Sequence, residues 1–238
     1  MRSLRAWSFP KTHKEPEIYL GAVGHLRQFI PNYAQIAEPL EKYKTLLLKD
    51  SPSLGGPKRK NYSIKRGLSE ATQAEKDAFL KLQSILSKGL FLYHQDPKRP
   101  LFINVDASKE YGFGAVVYHA REDWAGFRTG DYSVPPPRSK LLPILFLSRQ
   151  LQGGEVRFHP TDMELACIVW VLRKIKVHVE VSPRTVFYTD HVSNTYIAHQ
   201  SVQQASMGGY NMRLTLGAVL IRSFPRVEVR YIKGATIT

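Results

Sequence analysis

The chain has 238 residues, 43% of them hydrophobic, enough to bury a substantial core in one large domain or in a domain with a smaller helical appendage. Its 34 Lys and Arg exceed its 20 Asp and Glu by a formal +14, an excess that favours a polyanionic partner. The single cysteine, Cys167, excludes an internal disulfide and fits a reducing, intracellular setting; no run of eighteen apolar residues and no signal-peptide core occur, so a soluble chain without a membrane partner is expected.

In chain order, the first unit is expected over about residues 10 to 68. IYLGAVGHLRQFI places Leu20, Val23, Leu26, Arg27 and Ile30 at helical spacing, a turn follows at Pro31 and Asn32, and YAQIAEPLEKYKTLLLK reads as a second helix. SPSLGGPKRKNYSIKRGLS, residues 51 to 69, mixes Gly, Pro and Ser with Lys58, Arg59, Lys60, Lys65 and Arg66; it reads as a basic loop, either solvated or lying on a phosphate backbone. A second unit is expected over 69 to 238. It opens with a serine-capped helix that has Phe79, Leu82, Ile85 and Leu86 on one side and a glycine stop at Gly89.

Strands are predicted near 101–107, 113–120, 143–150, 184–190 and 227–233, with a helix over TDMELACIVWVLRKIKVHV and helical patterns in NTYIAHQ and YNMRLTLGAVLIRSF. The insertion from Arg121 to Leu142 contains Pro135, Pro136 and Pro137, so it makes a poor strand and is expected to be a surface excursion. Three strands, a helix, a strand, helices and a final strand imply a mixed sheet with helices packed on it.

Three acids stand out against this pattern. In LFINVD, Phe102, Asn104 and Asp106 share one face and Leu101, Ile103 and Val105 the other, so Asp106 points away from the more apolar row. Glu164 lies on the stripe continued by Ile168, Val171 and Ile175, where an acid is costly unless it serves a purpose; alternatively it caps its helix together with Thr161. Asp190 ends a strand just before His191, or caps the segment that follows. If the two strands are neighbours and the helix crosses them, the three acids converge. Such a cluster repels itself unless cations neutralise it, and hard oxygen ligands suit Mg²⁺ or Mn²⁺ in two-metal hydrolysis of a phosphodiester. GxGxxG, P-loop, GxSxG, HExxH and paired CxxC signatures are absent.

YLGAVGHLRQFIPNYAQIAEPL resembles a family segment of the form LGxxxYYRxFIPxFAxxAxPL. AEKDAFLKLQSILSKGLFLYHQDPKRPLFINVDASKEYGFGAVVYH, LFLSRQLQGGEVRFHPTDMELACIVWVLRKIKVHV, RTVFYTDH and VEVRYIKGA match further family stretches in the right order, over about residues 17 to 235. The family is the reverse transcriptase of gypsy-type long-terminal-repeat retrotransposons, covering its thumb-side segment and ribonuclease H domain. The resemblance implies an α/β, ribonuclease H-like mixed five-stranded sheet flanked by helices, with a small N-terminal helical segment. It further implies cleavage of the RNA strand of an RNA-DNA hybrid, with Asp106 bridging two ions, Glu164 holding one and Asp190 helping to position water. The implied partners are the hybrid, or another nucleic acid, and the rest of a retroelement polyprotein.

Two departures qualify this. The family's fourth aspartate follows the last strand, whereas this sequence ends at Thr238, four residues past Gly234. A catalytically inactive nucleic-acid-binding remnant is therefore the alternative expectation. The paired aspartates of a polymerase palm are missing, so this chain by itself is not expected to polymerise DNA. Among other residues, His191 is a candidate for a supporting hydrogen bond or a substrate contact, and His159 reads as an ordinary loop residue. Arg27 and Arg213 read as surface arginines or phosphate contacts, and Cys167 and Met163 as packing.

Overall fold

A computed structural model describes residues 7–49, 70–88, 92–191, 195 and 212–233. The chain divides into two compact units, Met1–Leu90 and Phe91–Thr238.

In the first unit, α1 spans Lys14–Gly24 and α2 spans Tyr33–Lys49. The single helix suggested by IYLGAVGHLRQFI stops at Gly24, and a 3₁₀ turn, Arg27–Phe29, completes it. Gly21 and Gly24 weaken the α-helix, and the chain tightens to i→i+3 bonds from Leu26, Phe29 and Ile30. Asn32 then adopts a left-handed φ of 52°, which asparagine tolerates, and starts α2. Helix α3, Gln73–Ser87, is capped by Thr72 with Glu75 in a reciprocal capping box, rather than by the serine at position 69, which lies outside the described residues along with Gly89. Tyr19, Val23, Ile30, Leu40, Phe79 and Leu82 form the core of this unit. Thus α3, grouped with the second unit by its sequence, packs in the first.

The second unit is a five-stranded mixed sheet flanked by helices. Its strands are β1 Leu101–Ser108, β2 Gly112–Ala120, β3 Leu141–Arg149, β4 Thr185–Thr189 and β5 Val227–Tyr231, in the spatial order β3-β2-β1-β4-β5. The first three pair antiparallel, whereas β4 lies parallel to both β1 and β5. Gly112, at φ 81°, closes the β1–β2 hairpin where a Cβ would come within 2.2 Å of the Arg149 carbonyl oxygen, so the turn requires glycine there. Gly114 has no such restriction, its nearest neighbour being the Asp106 carbonyl oxygen at 3.9 Å.

Period-two alternation sends Leu101, Ile103 and Val105 to one face, against helix α5, Pro160–Lys174, helix α6, Lys176–Val181, and helix α7, Met212–Arg222. Phe102, Val116, Tyr118, Val186 and Tyr188 face the other way. What covers them is the proline-containing insertion. Its Trp124 and Tyr132 are buried on Phe102 with edge-on rings, a short helix α4, Ala125–Thr129, turns between them, and the Tyr188 hydroxyl donates to the Tyr132 carbonyl at 2.9 Å. The expectation of a surface excursion is corrected here: two large rings inside a proline-containing stretch gain more from burial on an apolar sheet face than from solvent.

Candidate functional site

The site starts from strand register. Asn104 of β1 pairs with Tyr188 of β4 in parallel, so two residues further on Asp106 and Asp190 reach the same level at the carboxyl ends of neighbouring strands. Helix α5 lies across β1 and brings Glu164 to that end. His159 is its N-cap, accepting from the Thr161 N–H, and Pro160 occupies the first helical position. Glu164 therefore does not close a capping box with Thr161. It is 4% exposed, and its carboxyl accepts from the Ala107 N–H at 3.0 Å and, at a long 3.5 Å, from the Thr189 hydroxyl.

Burial, then the Asp190 and Asp106 charges, push the Glu164 carboxyl up to about 8, against the pull of the Ala107 N–H and the Thr189 hydroxyl. Asp106 keeps exposed surface, yet surrounding protein atoms, and after them Asp190, raise its carboxyl as well. Asp190 is exposed. Electrostatically the three acids form one cluster, as their sequence positions suggested. Beneath them Cys167, fully buried, directs its thiol toward the carbonyls of Asp106 and Gly114 at 3.5 and 3.7 Å, a packing role.

The strand order and the acids at the ends of β1 and β4 coincide with a known family pattern. Residues 96–216 match the RNase H-like domain found in reverse transcriptase. The chain belongs to that family.

Similar proteins agree. This RNase H-like chain is 27% identical over 197 residues to the Retrovirus-related Pol polyprotein from transposon gypsy of Drosophila melanogaster, covering 82% of the chain and 16% of the polyprotein. It is 24% identical over 234 residues to the corresponding polyprotein from transposon 297 of the same organism, 98% of the chain and 18% of the relative. Against the Transposon Tf2-3 polyprotein of Schizosaccharomyces pombe it is 25% identical over 187 residues, 78% of the chain and 11% of the relative. The chain thus spans less than a fifth of the length of these polyproteins. In fold it is similar to the foamy viral protease-reverse transcriptase in complex with ds DNA, at TM-score 0.65 and 16% identity over 99% of the chain and 34% of the viral protein. The same viral protein in complex with RNA/DNA hybrid gives TM-score 0.64 at 17% identity, over 98% of the chain and 26% of the viral protein.

The expected Mg²⁺ or Mn²⁺ site, and with it metal-dependent cleavage of the RNA strand, is corrected by the arrangement of the acids. Among the described residues no group of three or more His, Cys, Asp or Glu could hold a metal ion. The physical reason lies in Glu164: buried, drawn onto the Ala107 N–H and holding its proton up to about pH 8, it does not present a free carboxylate beside Asp106 and Asp190. The donor set does not fit the ion pair, and no catalytic step runs through one.

His191 takes the supporting role its position suggested. Its Nε2 lies 2.9 Å from the Thr161 hydroxyl, and its backbone N–H donates to the Thr189 hydroxyl at 3.2 Å, tying the exit of β4 to the first turn of α5. Thr161 and Thr189 escaped the sequence reading because a hydroxyl on a strand or in a first helical turn carries no pattern of its own. Arg149, in the SRQL motif, is fixed by a bidentate pair with Glu155 at 2.6 and 2.7 Å and lies over the Phe113 ring at 4.2 Å, which makes that arginine part of the framework. Lys58, Arg59, Lys60, Lys65 and Arg66 lie outside the described residues, as does the side chain of Arg213; Arg27 is exposed.

Proposed function

We propose that this chain is a nucleic-acid-binding, ribonuclease H-like segment of a gypsy-type retrotransposon polyprotein that holds an RNA-DNA hybrid without cutting it. The observation that carries the reading is Glu164, a neutral, buried hydrogen-bond acceptor where a hydrolase of this fold would need an open carboxylate. The basic excess of +14 supports the choice of a polyanionic ligand, and the fold similarity to a viral protein in complex with RNA/DNA hybrid supports the kind of duplex. The gypsy-type assignment rests on the matched segments from residue 17 onward and on the similarity to the gypsy and 297 polyproteins. Lys58, Arg59, Lys60, Lys65 and Arg66 add sequence-independent, salt-dependent affinity, and the remainder of the polyprotein is the covalent partner.

The test is one preparation with two readouts. Anisotropy of a labelled RNA-DNA hybrid is expected to show binding that weakens steeply with salt, and denaturing electrophoresis of the same samples, with Mg²⁺ or Mn²⁺ added, is expected to show intact RNA. Metal-dependent cleavage that disappears in Asp106→Asn would overturn the reading, and so would absence of binding at low salt.

A further inference from the structure

The family match covers residues 96–216, yet the first unit carries a cavity of its own. The start of α2 and the end of α3 enclose a groove of about 350 Å³, lined among others by Asn32, Gln35, Ile36, Lys81, Ile85 and Lys88. The lining holds two ammonium groups, two carboxamides and two isoleucine side chains, and no carboxylate. Other lysines of this unit are neutralised locally: Lys14 pairs with Glu17, Lys42 with Glu38 and Lys44 with Glu41. Lys81 and Lys88 are exposed and have no ion-pair partner among the described residues. The two positive charges left unneutralised on α3 therefore open onto the same concave surface.

Geometry selects what they hold. Lys81 and Lys88 are two turns apart on one helix face, about 10.5 Å along the axis. Phosphates along one strand of a duplex advance by about 3.4 Å per step, so that separation matches roughly three steps of a single strand. Ile36 and Ile85 offer an apolar surface between the charges, suited to the sugar carbons, and the carboxamides of Asn32 and Gln35 donate to oxygen acceptors but cannot read a base pair from a backbone position.

We infer that this groove holds the sugar-phosphate backbone of one nucleic-acid strand, with Lys81 and Lys88 on its phosphates. The inference rests on the nucleic-acid reading above and adds to it a contact outside the ribonuclease H-like unit. The contact is independent of sequence and strengthens the hold on the duplex.

The experiment compares the full chain with the double variant Lys81→Ala/Lys88→Ala, and with Lys42→Ala as a paired-lysine control, in hybrid-binding titrations from about 50 to 200 mM KCl. Removing both ammonium groups from the phosphates is expected to reduce the slope of log K against log salt by about 1.4 to 1.8, so the affinity of the parent chain falls roughly 7- to 12-fold more across that range than the variant's. Lys42→Ala is expected to leave the slope unchanged. Equal slopes for parent and double variant, with clear binding by both, would overturn the groove and leave the nucleic-acid reading standing; no binding by the parent chain would overturn both. A third arm adds inorganic phosphate at constant ionic strength. Persistence of the difference supports a phosphodiester strand, whereas its disappearance at low phosphate would identify a free-phosphate site and overturn the inference.

Discussion

Replacing Glu164 by glutamine isolates the electrostatic cost of the acid cluster. The glutamine keeps an oxygen for the Ala107 N–H and nearly the same volume, but it cannot ionise. Burial and the neighbouring acids raise the carboxyl from 4.5 to about 8, so between those values the folded chain binds more protons at this site than the unfolded chain. Stability associated with the neutral form is thus fully present below about pH 4.5 and is lost as pH rises through 8. At about 1.36 kcal/mol per pKa unit the whole displacement sets an upper bound of roughly 5 kcal/mol; sharing of protons with Asp106 and Asp190 reduces the expected effect to roughly 2–3 kcal/mol. Glu164→Gln is therefore expected to raise Tm by about 4–12 °C near pH 8.5, and to leave it nearly unchanged near pH 5. Thermal melts followed by circular dichroism in buffer with a chelator provide the measurement. An equal shift at both pH values would refute the electrostatic account and leave a packing effect in its place.

Two further outcomes follow from other parts of the second unit. His119 is 2% exposed; its Nε2 accepts from the Asp96 N–H at 2.9 Å and its Nδ1 lies 2.7 Å from the Pro100 carbonyl oxygen, an arrangement that requires the neutral ring, and burial lowers its pKa. Its contribution is present above the unfolded value of 6.5 and is lost as pH falls through the lower folded value, so His119→Leu is expected to cost about 1–3 kcal/mol near pH 7.5 and to flatten the decline in Tm from there to pH 5. An unaltered pH slope in the variant would assign that decline to other groups. On the opposite sheet face, Trp124→Ala removes the ring that seats the insertion on Phe102 and is expected to cost about 3–5 kcal/mol and to make the Arg121–Leu142 stretch sensitive to limited proteolysis. Gly126→Ala is expected to act in the same direction, because a Cβ there would come within 2.3 Å of the Trp124 ring and 2.7 Å of the Asp131 carbonyl oxygen. Wild-type protease resistance in both variants would show that the insertion is held by other contacts.

Much of the second unit was legible along the chain because its signals are local. Alternation in LFINVD and FGAVVYHA identifies strands and faces, and an apolar stripe at helical spacing identifies α5. The position of Glu164 on that stripe marked it as unusual, and the parallel pairing of β1 with β4 brings it together with Asp106 and Asp190 as the sequence suggested. The insertion was misread because three prolines are a strong local argument against a strand but say nothing about Trp124 and Tyr132, whose burial depends on an apolar sheet face formed by residues far along the chain. The N-terminal helix was overextended for a similar reason: Leu26 and Ile30 keep helical spacing, while Gly21 and Gly24 permit the backbone to tighten before Asn32.

The sequence by itself determined the strands, the two faces of the sheet, the basic balance and which three acids belong together, since each follows from periodicity, composition or motif order. Only the tertiary structure decided what the acids can do. Whether a carboxyl at position 164 is an open ligand or a closed, protonated acceptor depends on how far α5 buries it and on which backbone N–H it meets, and the partner it meets belongs to Ala107, 57 residues away. The same holds for His191, whose link to Thr161 exists only once β4 and α5 are docked. Periodicity records which side of an element a residue occupies; the solvent left around it and the dipoles aimed at it are set by elements distant in the chain, and these fix its protonation and hence its chemistry.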